Sequence, residues 1–217
     1  MYEIGDIIPD EAITGIQPGT NLLVKGPPMI GKQDLALELL AKGFDDGDGI
    51  LCVTTNDSAT ALIDSLSQRE ESLDRRQMGI ISCSGQEPSQ TSDSIDTEFV
   101  SSPSDLTGIS IGTVKIMKSF SNRNISSIRH GVLSVSTLQQ YLDTKSVFKF
   151  LHIYTSRVRD TDGLGVFTLH SSTQNDEVVN TLSSEFDGII ELREVDDDAR
   201  EIRLTGISTA SRSWYTY

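Results

Sequence analysis

The chain has 217 residues, 36% of them hydrophobic, and carries 32 Asp and Glu against 18 Lys and Arg, for a formal net charge of -14. Such a length suits one α/β domain that buries about 70% of the surface its unfolded form exposes. The acidic balance argues against a nucleic-acid phosphate backbone as the main partner, and no apolar run approaches the roughly 18 residues of a membrane span.

At the N-terminus, Met1-Tyr2-Glu3-Ile4-Gly5-Asp6 lacks the basic region and apolar core of a secretory leader. Leu22-Leu23-Val24 is a short apolar run suited to a buried strand. Gly26-Pro27-Pro28-Met29-Ile30-Gly31-Lys32-Gln33 follows, and then Leu35, Ala36, Leu39 and Leu40 recur as one face of a helix requires. Gly43 is the expected helix stop.

Strand, glycine loop, lysine and helix in that order form the context of a P-loop, G-x-x-x-x-G-K-[ST]. There, backbone N–H groups wrap phosphates, the lysine reaches the β and γ groups, and the hydroxyl ligates Mg²⁺. Gly26, Gly31 and Lys32 are in place, whereas Gln33 stands where the hydroxyl belongs. Gly26, Pro27, Pro28, Met29, Ile30, Gly31, Lys32, Gln33 and Asp34 are therefore the candidate nucleotide-binding residues.

A second strand is expected at Ile50-Leu51-Cys52-Val53-Thr54, then a helix with Ala59, Leu62, Ile63 and Leu66 on one face, capped by Asn56, Asp57 or Ser58. Ile80-Ile81-Ser82-Cys83 reads as a third strand. Residues 84–105 are rich in Ser, Thr, Gln and Asp, and are expected to form a mobile surface loop. Ile109, Thr113, Ile116, Met117 and Phe120 make the next helix face, and Val132-Leu133-Ser134-Val135 a fourth strand. Val147, Phe150, Leu151, Tyr154 and Val158 repeat with helical spacing before a fifth strand at Gly165-Val166-Phe167-Thr168-Leu169.

Residues 188–193 and 200–208 are strand-like runs joined by an acidic turn around Asp196-Asp197-Asp198, an antiparallel hairpin closing the sheet. The alternation before it predicts an α/β fold with a mostly parallel central sheet. Cys52 and Cys83 fall in predicted buried strands and should act as small apolar side chains, with a disulfide disfavoured in a cytosolic protein. His130, His152 and His170 are far apart without ligand-like spacing, so metal binding through them is unsupported. An acidic, lysine-poor surface stays hydrated where salt screens its self-repulsion, so a halophilic cytoplasm is the expected setting.

From Thr14 to Thr60 the sequence resembles the RecA/KaiC-like P-loop ATPases, their haloarchaeal members in particular. Thr14-Gly15-Ile16-Gln17-Pro18-Gly19-Thr20 is similar to the G-I-P-P-G-S lead-in, and Val53-Thr54-Thr55-Asn56-Asp57-Ser58 lies where KaiC-like proteins carry V-S-x-E-E-S. More loosely, segments around 101–109, 134–138 and 147–152 resemble an uncharacterised haloarchaeal, transducer-like KaiC family. The resemblance implies a single RecA-like P-loop domain of three layers over residues 1–217, and bound ATP or ADP.

Three elements of that family's pattern are altered. Gln33 replaces the hydroxyl, Asn56 and Asp57 replace the glutamate pair, and Leu133 or Ser134 stands at the Walker B aspartate. Asn cannot accept a proton, so Asp57 is the remaining candidate catalytic base. Losing both metal-holding groups argues against Mg²⁺ and for weak or absent hydrolysis, while the backbone nest and Lys32 can still hold phosphate.

Arg203, in Glu201-Ile202-Arg203-Leu204-Thr205-Gly206, falls at the family's K-x-R-G pattern, from which a basic residue reaches a neighbouring subunit's nucleotide, but Thr205 replaces the pattern's arginine. The alternative is a solvent-facing arginine paired with an acid across the hairpin. Arg157 and Arg159 are further candidates by position. The expected role is nucleotide-binding regulation or signalling with an unidentified protein partner, with homo-oligomers left open. The alternatives are a scaffold that no longer binds nucleotide, and an active ATPase using other metal ligands.

Overall fold

A computed structural model describes residues 1–69, 73–84, 95–171, 175–196 and 199–217. Chain order begins with β1 (Thr20–Gly26), α1 (Lys32–Ala41), the short α2 (Gly43–Asp46), β2 (Gly49–Thr54), α3 (Ala59–Ser67) and β3 (Met78–Ser82). β4 (Asp96–Phe99), α4 (Leu106–Asn122), β5 (Ile128–Leu133), α5 (Val135–Tyr141), α6 (Thr144–Asp160) and β6 (Leu164–His170) follow. The chain closes with α7 (Asp176–Ser183), β7 (Gly188–Asp196), β8 (Ala199–Thr205) and the two-residue β9 (Tyr215–Thr216).

The strands form one sheet in the order β4-β3-β2-β5-β6-β1-β7-β8-β9. Every pairing from β4 to β7 is parallel, and β8 and β9 add antiparallel. This is the mostly parallel α/β sheet with a C-terminal hairpin that the sequence predicts. Alternating side chains divide each central strand between two cores, as a sheet covered on both faces requires. Leu22, Val24, Ile50 and Cys52 face α1, α3 and the N-terminal segment, whereas Leu23, Leu51, Val53 and Val132 pack against residues of α4, α5, α6 and α7.

Several local expectations change. The first helix ends at Ala41, beside the expected stop, but Gly43 takes no left-handed cap: it opens α2, and Gly47, at φ 76°, takes that cap. Gly43 answers a different need, because a Cβ there would lie 2.7 Å from Nε of Arg129. Arg129 is fully buried; its guanidinium donates to Asp48 at 2.8 Å, to Asp46 at 2.7 Å, and to the carbonyls of Glu3 and Leu39. α3 is capped by Ser58, whose hydroxyl accepts from Ala61 N–H at 3.1 Å.

The stretch expected as a mobile loop over 84–105 contains β4, paired parallel to β3 at the sheet edge, with Ile95 and Val100 buried on either side. Residues 85–94 lie outside the described residues, as do Asp197 and Asp198 of the expected acidic turn. The fourth predicted strand is β5 and ends at Leu133; Val135 already belongs to α5. Cys52 and Cys83 are free and buried on opposite faces of the sheet, and burial pushes both thiols up to about 12.

At the hairpin edge, Trp214 lies between two guanidinium groups, with Arg193 4.0 Å and Arg203 4.3 Å from its ring centre. No helix among the described residues is long and apolar enough to cross a membrane.

Candidate functional site

The order β2-β5-β6-β1 sets the C-terminal ends of these parallel strands side by side, which is where open α/β sheets bind ligands. β1 ends at Gly26 and the loop to α1 closes over that edge. Gly31, at φ 96°, turns the chain into α1 in a conformation that favours glycine. Ile30 is anchored in the core while Met29, at 93% exposure, points away from it. Lys32 is the first residue of α1 and only 5% exposed; its ammonium folds back to donate to the Pro27 carbonyl. Burial draws its pKa down to about 8.

The Gln33 amide donates to the Asp57 carboxylate at 2.6 Å, tying α1 to the loop after β2. Asp34 is ion-paired with Arg69. Asn56 accepts from the Thr137 hydroxyl at 2.8 Å, so both residues that follow β2 are held by side-chain partners. Gln33→Ala should lower stability by no more than about 1 kcal/mol, because the bond it removes is solvent-exposed. Urea unfolding checks this.

At the end of β5 the two candidates lie in different surroundings. Leu133 is 3% exposed and belongs to the apolar core on the α1 face. Ser134 follows with its N–H on Thr55 Oγ1 at 3.0 Å, and its own hydroxyl is buried without a partner among the described residues.

Together these residues enclose a cavity of about 220 Å³, lined by Lys32, Gln33, Asn56, Ser134, Thr168 and His170 among others. Thr168 and His170 carry no motif in the sequence; the β1–β6 pairing, Gly26 opposite His170, brings them there. Nδ1 of His170 is buried without a hydrogen-bond partner among the described residues, and burial together with Lys32 holds its pKa below the ordinary value. Beyond His170 opens a second pocket of about 510 Å³ with the uncharged residues Pro28, Ser136, Gln139, Gln140 and Asn175 on its walls.

The basic candidates lie elsewhere. Arg203 pairs across the hairpin with Glu191, which also holds Lys25 at 2.9 Å. Arg157 and Arg159 sit at the C-terminal end of α6, where Arg159 adjoins Gly19 at the start of β1, the far end of the sheet from the P-loop.

Strand, glycine loop and helix on this sheet define a KaiC-like RecA fold. The KaiC-like protein PH0186 from the hyperthermophilic archaeon Pyrococcus horikoshii OT3 superposes with a TM-score of 0.66 at 14% identity, covering 94% of this chain and 86% of that one. The chain belongs to DUF7504, a family of unknown function, which it matches over residues 19–192. No curated protein matches.

Proposed function

We propose that this chain binds the phosphates of ATP or ADP at residues 26–34 and acts as a regulatory or signalling protein with weak or absent hydrolysis. The observation that carries the reading is Lys32, a buried lysine at the head of α1, beside a cavity of about 220 Å³ with room for a phosphate group. The residues present do not fit Mg²⁺. Gln33 offers an amide already engaged by Asp57, Leu133 is turned into the core, and among the described residues no three His, Cys, Asp or Glu side chains gather to hold a metal. Asp57, the one carboxylate at the catalytic base position, is committed to Gln33 in the same way.

A thermal melt with ATP or ADP, run in high salt beside Lys32→Ala, tests the proposal. Wild type should rise by several degrees at ligand well above Kd, and the variant should not. A folded wild type that ignores both nucleotides would sink it.

A second reading, a scaffold that binds no nucleotide, is favoured by the cavity's size. At about 220 Å³ it is smaller than the roughly 300–1,000 Å³ of ordinary ligand pockets, so a nucleoside would lie outside it. Under either reading we propose a haloarchaeal, cytoplasmic protein that works through a protein partner or its own copies.

A further inference from the structure

The β7–β8 hairpin outruns the strand it flanks. The last pair between β1 and β7 is Lys25 with Glu191, whereas β7 continues to Asp196 and β8 begins at Ala199. The overhang therefore stands beside the P-loop. Two close approaches mark the contact: a Cβ on Gly26 would lie 2.7 Å from the Leu192 carbonyl oxygen, and one on Gly31 would lie 3.4 Å from Nη1 of Arg200.

Arg200 is held there by its backbone. It pairs opposite Glu194 of β7, and its carbonyl accepts from Tyr217 N–H at 2.8 Å. Its side chain is exposed and, among the described residues, enters no ion pair. The other two arginines of the hairpin differ: Arg193 is paired with Glu201 at 2.6 Å and Arg203 with Glu191. Of the two acids of α1, Asp34 is taken by Arg69, and Glu38 faces the Tyr217 phenol together with Arg200. The exposed guanidinium at the phosphate loop is therefore free to turn onto an anion bound there.

We infer that Arg200 is a phosphate-contacting residue of this P-loop, supplied by the hairpin overhang of the same chain, and that it selects polyphosphates over a single phosphate. The inference rests on the phosphate-binding reading above. The cavity gives that reading support independent of the helix end, because Ser134, 8% exposed, lines it with a hydroxyl that has no partner among the described residues. Lys32 at the head of α1 meets one phosphate, and a planar guanidinium alongside can fork onto the oxygens of the next. A monophosphate would reach Lys32 alone. The polyphosphate tail is the recognised chemistry, whether it comes from a nucleotide or from inorganic polyphosphate.

Titration calorimetry of the full chain in EDTA with ATP, ADP, AMP and inorganic tripolyphosphate tests this. Arg200→Ala should lose about tenfold in affinity for ATP and tripolyphosphate and little for AMP, and Arg200→Lys should recover part of it. Arg212→Ala, another exposed arginine, should bind as wild type does. Equal effects on tripolyphosphate and ATP assign the contact to the phosphate tail; a loss for ATP alone moves Arg200 to the nucleoside and overturns the inference.

If Arg200→Ala binds ATP as tightly as wild type, the role of Arg200 is wrong while the P-loop reading stands. If wild type binds none of the four ligands, both fall. Melting curves of each variant separate lost contact from lost fold.

Discussion

Arg129→Ala is expected to destabilise the fold by about 3–5 kcal/mol, since it leaves carboxylates facing a buried vacancy. For a chain of this size that is a fall of roughly 6–20 °C in melting temperature. The reason is the connectivity of the group rather than its charge alone. One guanidinium, 0% exposed, joins β5 to Asp46 at the end of α2 and Asp48 just beyond it, to the last turn of α1, and to the N-terminal segment through Glu3. The Tyr2 ring lies 5.4 Å from it. Replacing Arg129 together with Asp46 and Asp48 by apolar residues should return much of the loss, because a buried ion cluster is costly to break but not to replace. A stability within 1 kcal/mol of wild type for the single variant, measured by denaturant unfolding, would refute the assignment.

Phosphate affinity should fall steeply above pH 8. In the unliganded protein Lys32 titrates at about 8 because burial disfavours its charge, and a bound anion restores it. Below that pH the ammonium is already present and affinity is flat as far as this group is concerned. Above it each binding event must take up a proton, so affinity drops toward about tenfold per pH unit. ATP gains no further charge in that range, and Lys32→Arg, charged throughout, should give a flat profile. A flat profile for wild type would mean that Lys32 is not the group holding the anion.

The sign for folding is opposite. A base whose pKa is lowered by folding weighs against the native state below about 8 and ceases to do so as pH rises through 8 toward its unfolded value. Lys32→Met should therefore melt above wild type at pH 7. A charge whose burial costs stability is consistent with the phosphate-binding role proposed for Lys32.

What the sequence discloses follows from how local each signal is. β1, the P-loop and α1 are contiguous, so an apolar run, two glycines and a helical repeat were enough to read them. β4 is an edge strand of four half-buried residues, Asp-Thr-Glu-Phe, whose two acids hide it among polar neighbours. α7 shows only Val179 and Leu182 as buried apolar positions over eight residues, too few for a periodic pattern. Gly43 misled because its reason lies across the fold on β5, where Arg129 needs the space.

The candidate site divides along the same line. Residues 26–34 and the pair Asn56 and Asp57 are legible from motif and spacing. Thr168, His170 and Arg200 are not, because only the strand order and the length of the hairpin bring them to the loop. The different surroundings of Leu133 and Ser134 also needed the end of β5 in three dimensions.

The chain contains a single tryptophan, Trp214, and the structure sets it between Arg193 and Arg203 rather than in either core. Its emission is therefore a private signal of one sheet margin. Movement of the terminal strand off the hairpin would strip both cations from the indole and shift the spectrum while the rest of the protein stays folded. Fluorescence and far-UV circular dichroism, followed on one sample, would then separate fraying of this edge from collapse of the whole, and would time any rearrangement around Arg200 without an added label.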